Sequence, residues 1–105
     1  MAVEELNSES FNEFIQNEKT VVVDFWAAWC GPCKILGPVL DGMSEKYDGA
    51  VSIGKVNVSD FPAISAQYSI TSIPCLIVFR GGKEVDRMVG FKGKESLEDL
   101  FNRNS

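Results

Sequence analysis

The sequence predicts an α/β fold, a mixed β-sheet covered by helices. Three observations carry this. An apolar, β-branched run, "TVVVDFWA", lies early in the chain, with helical apolar spacing on both sides of it. A later run, "CLIVF", is joined through "RGGK" to "EVDRMVG", and Gly81-Gly82 is a hairpin signal. Between these blocks strand and helix patterns alternate, as parallel strands linked by helical crossovers require.

Taken in order, residues 2–5 suggest a weak leading strand. Ser10 and Glu13 have capping-box spacing, and "SFNEFIQN" puts Phe11, Phe14 and Ile15 on one helical face. "TVVVDFWA" reads as a strand buried on both faces, because its apolar residues do not merely alternate. From about Cys33 to Tyr47 a helix is expected, with Ile35, Leu36, Val39, Leu40 and Met43 as its apolar stripe and a kink at Pro38. "VSIGKVNV" is a strand, and "FPAISAQY" a short helix with Pro62 near its start. The hairpin follows, then "KESLEDLF", a closing helix with Leu97, Leu100 and Phe101 inward. Phe25, Val78 and Phe79 belong to the core. The 105 residues carry no repeat, low-complexity stretch or linker, so one domain over residues 1–105 is expected.

Composition narrows the chemistry. The formal net charge is -5, and Lys and Arg form no cluster of the kind nucleic acid requires. No apolar run reaches membrane-spanning length, and "MAVEELNSES" is not an intact secretory signal, so a cytoplasmic protein is the default expectation. Histidine is absent, which removes Cys-His pairs, Ser-His-acid triads and most zinc sites. The three cysteines cannot all pair within one chain.

Cys30 and Cys33 fall where a buried strand meets a helix. The free amides and positive dipole end of a helix N-terminus favour thiolate over thiol. Cys30 is placed to attack, and Cys33, one turn on, can close a disulfide with it. Gly31 allows close backbone approach and Pro32 stiffens the loop. A zinc or iron–sulfur centre and a purely structural pair are the rival readings, with Cys75 the one further thiolate. Asp24, inside the buried strand, is either half of a structural salt bridge with Lys55 or a carboxyl whose burial raises its pKa into the range of proton transfer. Trp29 reads as an apolar rim and Trp26 as core.

The segment "DFWAAWCGPCK" resembles the active-site segment of the thioredoxin family. The likeness continues through "KVNV", "YSITSIPCLIVFRGGKEV" and "VGFKGKESL", nearly the whole chain. It implies a central five-stranded mixed sheet with four surrounding helices. It implies a protein-disulfide reductase in which Cys30 attacks, Cys33 resolves, Asp24 exchanges protons with Cys33 through water, and Lys55 modulates Asp24. Pro74 matches the family's cis-proline, Ile73 the position whose backbone pairs with an extended substrate, and Gly90 the glycine that leaves room along that groove. Gly-Pro between the cysteines favours a reductase over an isomerase or oxidase. Disulfide-containing proteins are the implied substrates, a separate flavoprotein reductase the implied recycling partner, and a monomer the expected state. The chain has no dinucleotide-binding glycine pattern of its own, so no cofactor is expected. A binding or assembly subunit using the same groove without turnover is the alternative. Cys75 departs from the family pattern, which commonly has threonine there; it is either a packing residue or a regulatory thiol beside Pro74.

Overall fold

The computed structural model describes residues 3–105. In chain order the elements are β1 (Glu4–Glu5), α1 (Ser8–Ile15), β2 (Thr20–Trp26), α2 (Gly31–Lys46), β3 (Val51–Asn57), α3 (Pro62–Gln67), β4 (Cys75–Arg80), β5 (Lys83–Val89) and α4 (Lys94–Asn104). The sheet runs β1-β3-β2-β4-β5. β3 pairs parallel with β1 and β2, while β4 pairs antiparallel with β2 and β5. This is the mixed five-stranded sheet with four helices that the resemblance implied. Ala2, where the leading strand was expected to begin, lies outside the described residues.

Strand β2 is central and buried throughout except at Trp26, which explains its unbroken apolar run. Its odd and even residues feed two cores. Val22 packs with Ile53, Leu76, Val78 and the inward faces of α2 (Leu36, Leu40, Met43) and α4 (Leu97, Leu100, Phe101). Val21, Val23 and Phe25 pack on the other face with Phe11 and Ile15 of α1, Ile64 of α3, and Cys75, Ile77 and Phe79 of β4. The β4–β5 hairpin turns through Gly81 and Gly82, at φ 61° and 81°, the left-handed pair that a two-residue turn of matching twist requires.

Two local expectations need correction. α1 starts earlier than the Ser10–Glu13 spacing suggests. Asn7 is its N-cap, its Oδ1 accepting from the amides of Glu9 and Ser10, while the Ser10 hydroxyl accepts from the Asn7 amide at 2.9 Å. Ser10 is thus the returning partner of the capping box, and Asn7 supplies the cap because it precedes the first turn. Ile35 does not belong to the buried stripe of α2: it is 64% exposed. The inward positions are Cys33, Leu36, Leu40 and Met43, and Ile35 projects beside them. Helix α2 runs on through Pro38 as one element.

Candidate active site

The cysteine pair sits at the end of β2, where the chain leaves the sheet and enters α2. Cys30 is the N-cap of α2 and has extended backbone, φ -90° and ψ 113°. Its Sγ accepts a hydrogen bond from the Cys33 amide at 3.2 Å. Pro32 fits within the first turn because its missing N–H would have had no helical partner there. Cys30 and Cys33 are joined as a disulfide, with Cα atoms 5.3 Å apart. Both are nearly buried, at 6% and 4% exposed, in a small cluster with Ala27, Trp26, Val58 and Ile73. The two cysteines differ little in exposure in this oxidised state.

The approach to the sulfurs is set by the loop before β4. Ile73–Pro74 is a cis peptide, and the Ile73 carbonyl lies 3.8 Å from Cys30 Sγ. Gly90 is drawn alongside, its amide donating to the Pro74 carbonyl at 2.7 Å. It holds φ 81°, and a Cβ placed on it would meet nothing within 4 Å. Glycine is therefore needed here for backbone conformation, and the side-chain direction opens on free space. Trp29, next to Cys30 in sequence, is 72% exposed, its indole N–H donating to Ser59 Oγ at 3.2 Å. Ile35 on α2 is a second large apolar side chain left exposed. Residue periodicity missed Ile35, because an outward apolar residue next to a stripe looks like part of it.

Asp24 lies on β2, the strand that leads into the Cys30-Cys33 loop. It is 3% exposed, on the same sheet face as Val22, which α2 covers. Its Oδ1 finds no hydrogen-bond partner among the described residues. Burial raises its pKa to about 7, against a smaller lowering by Lys55. Lys55 is its register partner on β3. The ammonium, however, does not close on Asp24. It lies 3.5 Å from Glu5 Oε1 on β1, and 5.1 Å from the centre of the Trp26 ring. Of the two readings of Asp24, this geometry leaves a buried carboxyl without a direct ion pair.

Cys75 is 1% exposed and faces the α1/α3 core. Burial pushes its thiol pKa up, partly offset by the Arg87 charge. Its position beside Pro74 in sequence places its side chain in packing. Among the described residues, no group of three or more Cys, Asp or Glu is arranged to hold a metal ion, and no helix is long and apolar enough to cross a membrane.

A Cys-x-x-Cys disulfide at the N-terminus of a helix, with a buried acid on the strand leading into it, is the site of a thiol-disulfide oxidoreductase. Comparison with known proteins gives the family. The thioredoxin family model matches residues 2–103. The chain is 50% identical over 103 residues to a thioredoxin of Chlamydia caviae, covering 98% of this chain and 99% of that one. It is 42% identical over 104 residues to a thioredoxin of Porphyra purpurea, covering 98% and 97%. The crystal structure of Malassezia sympodialis thioredoxin superimposes with a TM-score of 0.91 at 30% identity, covering 98% of this chain and 90% of that one. The chain belongs to the thioredoxin family, and its Cys30-Cys33 pair carries dithiol–disulfide exchange.

Proposed function

We propose that the chain, acting as one domain, reduces disulfides in protein substrates. The observation that carries this is the Cys33 amide donating to Cys30 Sγ at the N-terminus of α2. In the reduced protein that donor and the helix dipole stabilise a Cys30 thiolate over the thiol.

The thiolate attacks one sulfur of a substrate disulfide. A Cys30–substrate bond forms, the substrate S–S bond breaks, and the displaced sulfur leaves as thiolate and takes up a proton. Cys33 then gives its proton to the Asp24 carboxylate and attacks Cys30 Sγ. The mixed disulfide breaks, the second substrate sulfur leaves and is protonated, and Cys30-Cys33 remains oxidised. Two electrons have passed from the dithiol to the substrate. Asp24 suits this step because burial puts its proton affinity near neutrality.

The substrate segment lies along Trp29, Ile73, Pro74 and Gly90. The Ile73 carbonyl near Cys30 and the free space over Gly90 support an extended backbone there. Recycling falls to a separate reductase, a flavoprotein, which returns two electrons to the disulfide. The protein works in the cytoplasm as a monomer, and its net charge of -5 disfavours nucleic acid as a partner. Cys75 serves as packing.

Reduction of insulin disulfides with dithiothreitol as electron source tests the reading. The wild type accelerates precipitation of the insulin chains and Cys30→Ser does not. Equal rates for the two proteins would sink it.

A further inference from the structure

We infer that Glu5 is a positioning residue for the proton step: it holds the Lys55 ammonium outward, away from Asp24, and so keeps Asp24 able to accept a proton from Cys33. This rests on the proton-accepting role of Asp24 proposed above.

Glu5 pairs with Lys55 between β1 and β3, and Lys55 pairs with Asp24 between β3 and β2. Three neighbouring strands therefore carry acid, base and acid in one row on one face. The outer acid is exposed and the inner one buried: Glu5 has a 73% exposed side chain, and Asp24 is 3% exposed. Lys55 has a flexible stem and can reach toward either. In the structure its ammonium is 3.5 Å from Glu5 Oε1 and 5.1 Å from the Trp26 ring centre. The Glu5 contact draws the ammonium toward β1 by charge; the Trp26 ring, two residues beyond Asp24 on β2, attracts it by its negative face without pulling it outward.

The outer position is a built one. Glu5, Trp26, Lys55 and Asp60 are among the residues that line a cleft of about 280 Å³. The Leu6 amide donates to the Lys55 carbonyl at 2.9 Å, and Leu6 is buried, so the Glu5 backbone is fixed beside Lys55. Asp60, from the turn after β3, adds a second carboxylate to the cleft wall. Around Asp24 the other neighbours are different in kind. β4 presents Leu76 in register, and the core on that sheet face is apolar, with Val22, Leu36 and Leu40 among its residues. Cys75 lies on the opposite face and feels the Asp24 charge only at a distance. Lys55 is thus the cation that bears on Asp24, and Glu5 is the group that decides where its charge rests.

The sign follows. Neutralising Glu5 releases Lys55 to approach Asp24 and favours the carboxylate, so Asp24 takes up protons less readily. An NMR titration of the Asp24 carboxyl carbon in the oxidised protein reads this directly. Four proteins are compared: wild type, Glu5→Gln, Lys55→Gln and the double variant. Glu5→Gln is expected to lower the Asp24 midpoint by roughly half a unit or more. In the Lys55→Gln background the same change is expected to shift it far less, since the effect runs through the lysine. An Asp24 midpoint unmoved by Glu5→Gln overturns the inference, as does an equal shift with and without Lys55. The carboxamide preserves the exposed β1 backbone, and unchanged near-ultraviolet dichroism of the four proteins confirms like folds. The pH profile of mixed-disulfide release in the same set separates the two proposals. A shifted Asp24 midpoint with an unshifted release profile upholds the Glu5 inference and removes Asp24 from the proton step.

Discussion

Lys55 stands directly across from Asp24 in the β2–β3 register, yet its ammonium makes its ion pair with Glu5 at 3.5 Å. Asp24 is left with a distant cation and an orphaned Oδ1. A buried carboxylate in that setting is costly, and the cost is the source of its raised pKa.

Stability should carry the signature of that cost. Between the unfolded value of 3.8 and the folded value of about 7, the native state binds the proton and the unfolded chain does not. Stability from this group therefore falls as pH rises through that window and levels off above it. Asp24→Asn removes the penalty. Urea unfolding of the oxidised protein at pH 8 should show the variant more stable, by a few kcal/mol, allowing for a buried amide that also lacks a full set of partners. The gain should vanish below pH 4. A variant equal to wild type at pH 8 would place Asp24 in a better-solvated setting than the structure gives it.

Asp86 should behave in the opposite sense. It ties β5 to α4, accepting from Arg103 Nε at 2.7 Å and Asn104 Nδ2 at 2.8 Å, and the Arg103 bond leads the causes that hold its pKa down at about 2. Its contribution is present above the unfolded value and lost as pH falls toward 2. Because Asp86 is only partly buried and its leading partner Arg103 is exposed, Asp86→Asn should cost only about 1 kcal/mol at neutral pH. Thermal unfolding at pH 7 and pH 2 checks it: a difference at pH 7 that persists at pH 2 argues against a charge effect.

Gly90→Ala tests the groove. A Cβ there meets open space but must adopt φ 81°, so a loss of about 1 kcal/mol is expected from backbone strain. The methyl group also projects where the substrate segment is proposed to run. Insulin reduction should show a higher KM with kcat less affected. An unchanged KM together with lost stability would confine Gly90 to a structural role.

Cys75 should be inert in the folded protein. Burial among Phe25, Ile77 and Phe79 and a raised thiol pKa both oppose reaction with alkylating reagents. Peptide mass spectrometry after native labelling should find Cys75 unmodified, and labelling in denaturant should modify it fully. Rapid native labelling would revive the regulatory reading.

Much of this was legible in the chain itself, for reasons particular residues make plain. The run from Thr20 to Trp26 announced a central strand because both its faces are buried. Cys30, Gly31, Pro32 and Cys33 announced a helix start because such spacing and such residues suit one. Gly81-Gly82 marked a turn that needs two positive φ values. Other features depend on contacts that periodicity does not encode. Ile35 has the spacing of a core residue and the exposure of a rim residue. Asn7 outranks Ser10 as a cap only once the first turn is located. The Glu5–Lys55 pair arises from a two-residue strand whose register no local pattern specifies. The face that Cys75 occupies follows from its pairing with Phe25 and Val89, which places it away from the pair it neighbours in space only through Pro74.

The most direct test of the central claim is capture of the mixed disulfide. Cys33→Ser, reduced and mixed with oxidised insulin, should accumulate an adduct joined through Cys30, readable by intact and peptide mass spectrometry. Cys30→Ser should accumulate none. An adduct carried by Cys33 in the second variant, with none on Cys30 in the first, would contradict the assignment of attacking and resolving thiols.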